Sequence, residues 1–294
     1  MSNASEAPDP ADNPYRLTDD DLQNRKAQYA PDMLAGQTVL ISGGGSGIGR
    51  ATAWLAGRVG AKVIVAGRTA AKLAAVSEPM QAAGLDCQHL EVNIRDRASV
   101  DAMFEKLAND GLCPDLLINS AGGQFPQAAI DYSTGGWNAV IDTNLNGTFH
   151  MMQAAARFWR DHQAPGSIVN LVTVSRGLHG VAHSNAARAA VITFSECVSV
   201  EWAPLNIRVN CVAPGTVQTE GWLVYPEEAR QTYPTTNPLQ RVGDPWEIAH
   251  ACLYMGGPAG SYVTGETLNI DGAGRHWGEI WTTGQPEYFD ISNK

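Results

Sequence analysis

Ser42-Gly43-Gly44-Gly45-Ser46-Gly47-Ile48-Gly49 follows an apolar run at 37–41 and leads into a helical stretch opening at Arg50. A strand that feeds a glycine-rich turn and then a helix N-terminus leaves several backbone N–H groups unpaired and adds the positive end of the helix dipole. The result is a cradle for an anion, and the pyrophosphate of a dinucleotide suits it. The spacing is G-x-x-x-G-x-G rather than G-x-G-x-x-G, so the order strand, turn, helix carries the reading more than the glycines do.

Outward from this turn the chain alternates. β-Branched runs at 38–41, 62–66, 87–92, 116–119, 167–174, 208–213 and 266–270 are separated by helical patterns at 50–59, 70–83, 98–109, 137–162, 185–203 and 245–255. Strands alternating with helices of this length pair in parallel through right-handed crossovers, which predicts an α/β fold: a single Rossmann-type doubly wound parallel sheet flanked by helices. Val63-Ile64-Val65 and Leu116-Leu117-Ile118 are apolar on both faces, as a covered sheet requires. Ligands of such sheets bind at the carboxyl ends of the strands.

The pattern defines one domain at 36–274. Residues 1–35 read as a polar N-terminal extension holding four prolines, with Thr18 placed to cap a short helix at Asp19. Residues 275–294 form a tail rich in aromatics, Trp277, Trp281, Tyr288 and Phe289 among them, expected to dock on its own domain or on a neighbouring subunit.

Composition narrows the function. Twenty Lys+Arg against 30 Asp+Glu give a net charge of −10, which supplies no basic face for nucleic acid or an anionic membrane. The five cysteines are scattered, with no C-x-x-C pair, and read as reduced thiols rather than a disulfide framework or metal site. No leader-like apolar segment opens the chain and no run approaches the ~18 residues of a membrane span, so a cytoplasmic enzyme is expected. At the end of the second strand, where an acid would hold a ribose 2′-OH, stands Arg68, whose planar fork suits a 2′-phosphate; Arg50 lies close to the same loop. The cofactor expected is NADP(H).

Together with Asn119-Ser120-Ala121-Gly122, Asn144, Arg208-Val209-Asn210, Ala213-Pro214-Gly215, Thr219, Thr264-Gly265 and Asp271-Gly272, the glycine turn resembles the ordered motifs of the short-chain dehydrogenases/reductases over residues 36–275. The resemblance implies a cofactor-binding set of Gly43, Ser46, Gly47, Ile48, Gly49, Arg68, Asn93, Ile94, Asn119, Ala121, Gly122, Arg188, Pro214, Gly215, Val217 and Thr219. It also implies an Asn144 backbone carbonyl that holds a relay water, and a homotetramer built on the long helices near Met151 and Val198.

One departure matters. The family's catalytic tyrosine and the lysine four residues later align with Ser184 and Arg188, and no tyrosine occurs between residues 133 and 224. The strand serine aligns with Thr173, with Ser175 as a rival. A serine hydroxyl is too basic for its anion to take a proton at neutral pH, and an arginine with a pKa above ~12 is no proton shuttle. Ordinary alcohol oxidation is thereby placed in doubt. Hydride transfer to carbon, with the developing anion held by hydrogen-bond donors, stays open and suits a C=C bond conjugated to a thioester carbonyl. His183 and His179 flank the missing tyrosine and are candidate proton sources.

The segments around Gly122, Trp137 and Ala182 look most like the peroxisomal trans-2-enoyl-CoA reductases, with the related 2,4-dienoyl-CoA reductases also lacking the usual tyrosine. In the first branch a further Tyr-x-x-x-Lys would fall at Ile192 and Glu196, so that pair does not carry over, and the terminal Ser292-Asn293-Lys294 is no convincing peroxisomal signal. The site expected is Asn144, Thr173, Ser175, Ser184, Arg188 and His183, with Gln124-Phe125-Pro126 at the substrate mouth. The leading expectation is an NADPH-dependent reductase of hydrophobic enoyl thioesters, for which Arg157, Arg160 and Arg176 are candidates to hold a CoA phosphate. The alternatives are an alcohol/carbonyl oxidoreductase with a relocated proton donor and a cofactor-binding protein without catalysis.

Overall fold

The computed structural model describes residues 13–173 and 179–278, with Trp281, Thr282, Pro286 and Phe289 beyond them. Among these residues seven strands form one sheet: β1 (Thr38–Ser42), β2 (Lys62–Gly67), β3 (Cys87–Glu91), β4 (Leu116–Asn119), β5 (Gly166–Leu171), β6 (Ile207–Pro214) and β7 (Thr267–Ile270). The order is β3-β2-β1-β4-β5-β6-β7 and every pairing is parallel. The register sets Ile41 beside Val65 on one side and Ile118 on the other. The chain leaves β1 for β2 and β3, then crosses back to β4, so a crevice opens at the carboxyl ends of β1 and β4.

Three helices cover one face, α2 (Gly47–Arg58), α3 (Ala70–Ala82) and α9 (Pro245–Gly256), and three the other, α4 (Arg97–Asn109), α6 (Thr148–His162) and α7 (Ala182–Trp202). Trp54 and Trp159 are fully buried, one under each layer. Met151 and Val198 are buried in this same core, so the helix faces that carry them are turned inward.

Two element starts differ from the sequence pattern in ways that shape the site. α2 begins at Gly47 rather than Arg50, which places the glycine turn directly on its first N–H groups. The helical region read at 137–162 is α5 (Thr134–Ile141), a six-residue π segment (Asp142–Gly147) and α6. A π segment shifts the helical phase, which the periodicity of side chains does not announce.

The N-terminal stretch packs on the domain. In α1 (Asp19–Asn24) the Asp21 N–H donates to Thr18 Oγ1 and the Thr18 N–H donates to the Asp21 carboxylate, each at 3.0 Å, the reciprocal box expected of Thr18. Leu22 and Leu34 are fully buried against α2 and α9. At the other end, Trp277, Trp281 and Phe289 form a ring cluster with centroids 4.8 to 6.2 Å apart, and Gln240 Nε2 donates to the Phe289 carbonyl at 2.9 Å, so these tail residues dock on their own chain. Tyr288 lies outside the described residues. No described helix is long and apolar enough to cross a membrane, and the described residues hold no metal-ligating cluster.

Candidate active site

At the carboxyl ends of the central strands a cavity of about 210 Å³ is lined by Gly43, Ser46, Gly47, Ile48, Arg188, Pro214 and Thr219, seven of the residues read as cofactor-binding. Gly43 has φ +70°, and a Cβ there would stand 2.6 Å from the Ala121 backbone nitrogen, so the turn after β1 is pressed on the segment after β4 and admits no side chain. Ser46 is the N-cap of α2, lines the cavity, and makes no side-chain capping hydrogen bond. The Gly47 N–H donates to Glu220 Oε2 at 3.0 Å. That carboxylate is a stand-in anion: the start of α2 already holds negative charge, and a pyrophosphate fits the same donors.

Other expected residues serve the cradle from outside. Asn119 is buried in a polar chain, accepting from Ser42 Oγ at 3.3 Å and donating to Asn170, which donates in turn to Ser195 at 2.9 Å. Gly49 is buried in the first turn of α2, and the Gly215 N–H donates to the Ile270 carbonyl at 2.9 Å. Arg68 is exposed at the end of β2.

Four of these readings fall on residues placed otherwise than the sequence pattern suggests. Val217 is buried in the core and bridges Gly243, because the chain turns back after β6 and takes that side chain inward. Ile94 is likewise a core side chain under α6, and Asn93, exposed, has its N–H fixed on Ser99 Oγ, so neither lines the cavity. Arg50 is 2% exposed and is spent on the N-terminal stretch, with Nη1 on the Leu17 carbonyl at 2.6 Å and Nη2 on Asp19, which removes it from any 2′-phosphate. Arg157 and Arg160 lie toward the C-terminal end of α6, which runs antiparallel to the strands and ends at the sheet edge opposite the cavity. Arg176 lies outside the described residues.

The reacting end is built on α7 and the π segment. Asn144, 2% exposed, clamps the loop after β4: its Nδ2 donates to the Gly123 carbonyl and its Oδ1 accepts from the Gly123 N–H, both at 2.9 Å. Nδ2 also reaches Ser184 Oγ at 3.1 Å. The Asn144 backbone carbonyl, expected to hold a relay water, accepts from Thr148 Oγ1 at 3.0 Å. Ser184 is fully buried, and so is His183, whose Nδ1 accepts from the Ser184 N–H at 2.8 Å and whose Nε2 has no partner among the described residues. The His183 ring stacks on Tyr132 and meets the edge of Phe125, both at 4.5 Å, so it is walled off by aromatics. Thr173 is half-buried just beyond β5, His179 is exposed, and Ser175 lies outside the described residues.

Arg188 is the charged centre. Nη1 donates to the Leu171 carbonyl, and Nη2 would be 2.4 Å from a Cβ on Gly122. Among the described residues no carboxylate pairs with it. Burial pushes this guanidinium down to about 10, so it is still a cation at neutral pH. Sequence reasoning missed two residues at this place: Tyr225, whose hydroxyl meets Gln124 Nε2, and Glu220. A second cavity, about 360 Å³, lies past β7, where Arg241 pairs with Glu247 at 2.6 Å and Arg275 with Asp271 at 3.6 Å, leaving its charge neutralised.

The fold and the cradle define a dinucleotide-dependent oxidoreductase. A family model described as enoyl-(acyl carrier protein) reductase matches residues 43–274, and the chain belongs to the short-chain dehydrogenase/reductase superfamily, enzymes that bind a nicotinamide cofactor. It is 36% identical over 264 residues to the peroxisomal 2,4-dienoyl-CoA reductase ((3E)-enoyl-CoA-producing) of Pongo abelii, covering 86% of this chain and 89% of that one. To the probable 2,4-dienoyl-CoA reductase ((2E)-enoyl-CoA-producing) of Bacillus subtilis it is 35% identical over 243 residues, 80% of this chain and 95% of the relative. Among solved structures, the citronellol catabolism dehydrogenase of Pseudomonas aeruginosa superposes with a TM-score of 0.76 at 33% identity, covering 85% of this chain and all of that one.

Proposed function

We propose that the protein is an NADPH-dependent reductase of a C=C bond conjugated to an acyl thioester carbonyl, of the enoyl-CoA or dienoyl-CoA type. The observation that carries this reading is Arg188: a half-buried guanidinium without a carboxylate partner among the described residues, set at the place of the family's lysine and beside a buried serine instead of a tyrosine. Such a site favours an anion that appears during the reaction over a proton moved by a Tyr/Lys pair. The resemblance to two 2,4-dienoyl-CoA reductases supports the same chemistry.

The bound nicotinamide supplies the hydride. Gly43, Ser46, Gly47 and Ile48 hold the pyrophosphate, Arg68 takes the 2′-phosphate, and Pro214 and Thr219 close over the nicotinamide end. Arg188 grips the ribose and faces the oxygen that gathers negative charge, with Thr173 or Ser175 as a second donor. Ser184 and Asn144 keep the segment at 122–124 in register with Arg188, and His183 serves as packing beneath it. A homotetramer is the assembly proposed, tested by sedimentation.

The deciding experiment follows loss of NADPH absorbance with 2-enoyl-CoA thioesters, a 2,4-dienoyl-CoA and matched aldehydes. Oxidation with the thioesters alone supports conjugate reduction. Turnover of aldehydes alone would make the protein a carbonyl reductase, the reading to which the likeness to a citronellol catabolism dehydrogenase belongs. Binding of NADPH with no turnover would leave a non-catalytic role.

A further inference from the structure

Conjugate reduction needs a proton at the α-carbon, and the residues at the family's acid position do not supply one. Ser184 is fully buried, a weakly acidic hydroxyl closed off from a substrate, and His183 is enclosed between Tyr132 and Phe125. Tyr132 itself has its hydroxyl buried, inside that wall, without a partner among the described residues.

A different tyrosine reaches the site from the chain that follows β6. Tyr225 ends the 3-10 turn Glu220–Val224, is half-buried, and accepts a hydrogen bond at its hydroxyl oxygen from Gln124 Nε2, 101 positions away in sequence. Gln124 sits next to Gly123, which Asn144 holds by two 2.9 Å bonds, and two residues from Gly122, against which the Arg188 guanidinium packs. The segment at 122–124 therefore links the Arg188 guanidinium, at Gly122, to the Tyr225 phenol, at Gln124. Because the amide N–H donates to the phenol oxygen, the phenol's own proton is not used in that bond. The charged or titratable groups facing Tyr225 are Arg188 from α7 and Tyr233, whose ring lies 6.0 Å away. Burial holds the phenol above its ordinary value and so protonated at neutral pH, while Gln124 and Arg188 favour the phenolate once the proton has left.

We infer that Tyr225 is the proton donor of this site, acting on the α-carbon of the substrate from the loop after β6 in place of the missing helix tyrosine. The inference rests on the conjugate-reduction reading above. Hydride adds at the distal carbon of the conjugated system with its electron pair, and the π electrons move onto the thioester oxygen, which Arg188 faces. The Tyr225 O–H bond then breaks, a C–H bond forms at the α-carbon, and the carbonyl re-forms. Water returns a proton to the phenolate, so each turnover consumes one hydride and one proton and leaves the cofactor oxidised.

The test compares wild type, Tyr225→Phe and Gln124→Leu with NADPH and 2-enoyl-CoA and 2,4-dienoyl-CoA substrates, alongside NADPH affinity from nucleotide fluorescence. Tyr225→Phe is expected to lower kcat by about 100-fold or more, to leave the NADPH Kd unchanged, and to lose the part of the alkaline fall that belongs to the phenol. Gln124→Leu removes the donor to the phenolate and is expected to move that fall to higher pH with a smaller loss of kcat. A Tyr225→Phe protein with the kcat and pH profile of wild type would overturn the role of Tyr225 and leave conjugate reduction standing. A wild-type protein inert toward every conjugated thioester would overturn conjugate reduction, and the proton-donor role with it.

Discussion

The Glu220 carboxylate accepts from the Gly47 N–H at 3.0 Å, and on its other oxygen it meets Arg16 Nε at 4.0 Å. An acid from the loop after β6 thus sits on the N–H at the start of α2, tied to the N-terminal stretch by Arg16 and by the tilted ring contact of Tyr15 with Trp222, centroids 5.5 Å apart. A pyrophosphate seeking the same N–H meets that negative charge.

Glu220→Gln removes the charge and keeps the shape. The NADPH Kd is expected to fall about fivefold, equivalent to about 1 kcal/mol of relieved competition at a helix N-terminus. Calorimetric titration checks it, and an unchanged Kd would mean that the carboxylate swings clear of the bound dinucleotide at no cost.

Arg68 is exposed at the end of β2, and the proposed function gives it the 2′-phosphate. Arg68→Ala is expected to raise the KM for NADPH about tenfold or more while leaving that for NADH unaltered, because only the first cofactor offers the bidentate anion. Equal effects on both would remove the basis for NADPH preference.

A Cβ on Gly122 would stand 2.4 Å from Arg188 Nη2. Gly122→Ala therefore displaces the guanidinium, and kcat is expected to fall by about tenfold to 100-fold through misplacement at the site. The loop is exposed, so Tm should move little; a large drop in Tm with normal kcat would contradict this placement.

The two ionisable groups at the reacting rim push in the same direction at high pH. Burial brings Arg188 down to about 10, and it raises the Tyr225 phenol above its ordinary 10. Below these values the guanidinium is charged and the phenol protonated, the states the proposed reaction uses. The rate should be level through neutral pH and fall as pH rises past about 10, read from kcat across an alkaline series.

Leu22 is fully buried against the core although it precedes the first strand. Leu22→Ala is expected to cost about 2–4 kcal/mol of stability, seen as a lower denaturant midpoint. A loss near zero would show that the N-terminal stretch contributes nothing to the domain.

Much of this was legible from local pattern. Alternating apolar runs and helical periods reproduce all seven strands, because a strand covered on both faces must be apolar throughout, as Val63-Ile64-Val65 is. The glycine turn placed Gly43, Ser46, Gly47 and Ile48 on one cavity with Arg188, Pro214 and Thr219. The Thr18 capping box was readable because both of its partners lie within four residues. The π segment was not, since one extra residue in a helix changes which side chain faces the site without changing composition.

The sequence by itself determined the parallel sheet, the glycine turn after β1 and the lack of any tyrosine between residues 133 and 224, all of which follow from residue type and short spacing. Tertiary structure alone decided what surrounds Arg188. It brought Tyr225 to Gln124 across 101 positions, set Glu220 on Gly47 across 173, spent Arg50 on Asp19, and enclosed His183 in aromatic rings. These meetings depend on how the loop after β6 and the N-terminal stretch fold back over the strand ends, and neither helical nor strand periodicity carries information over such separations.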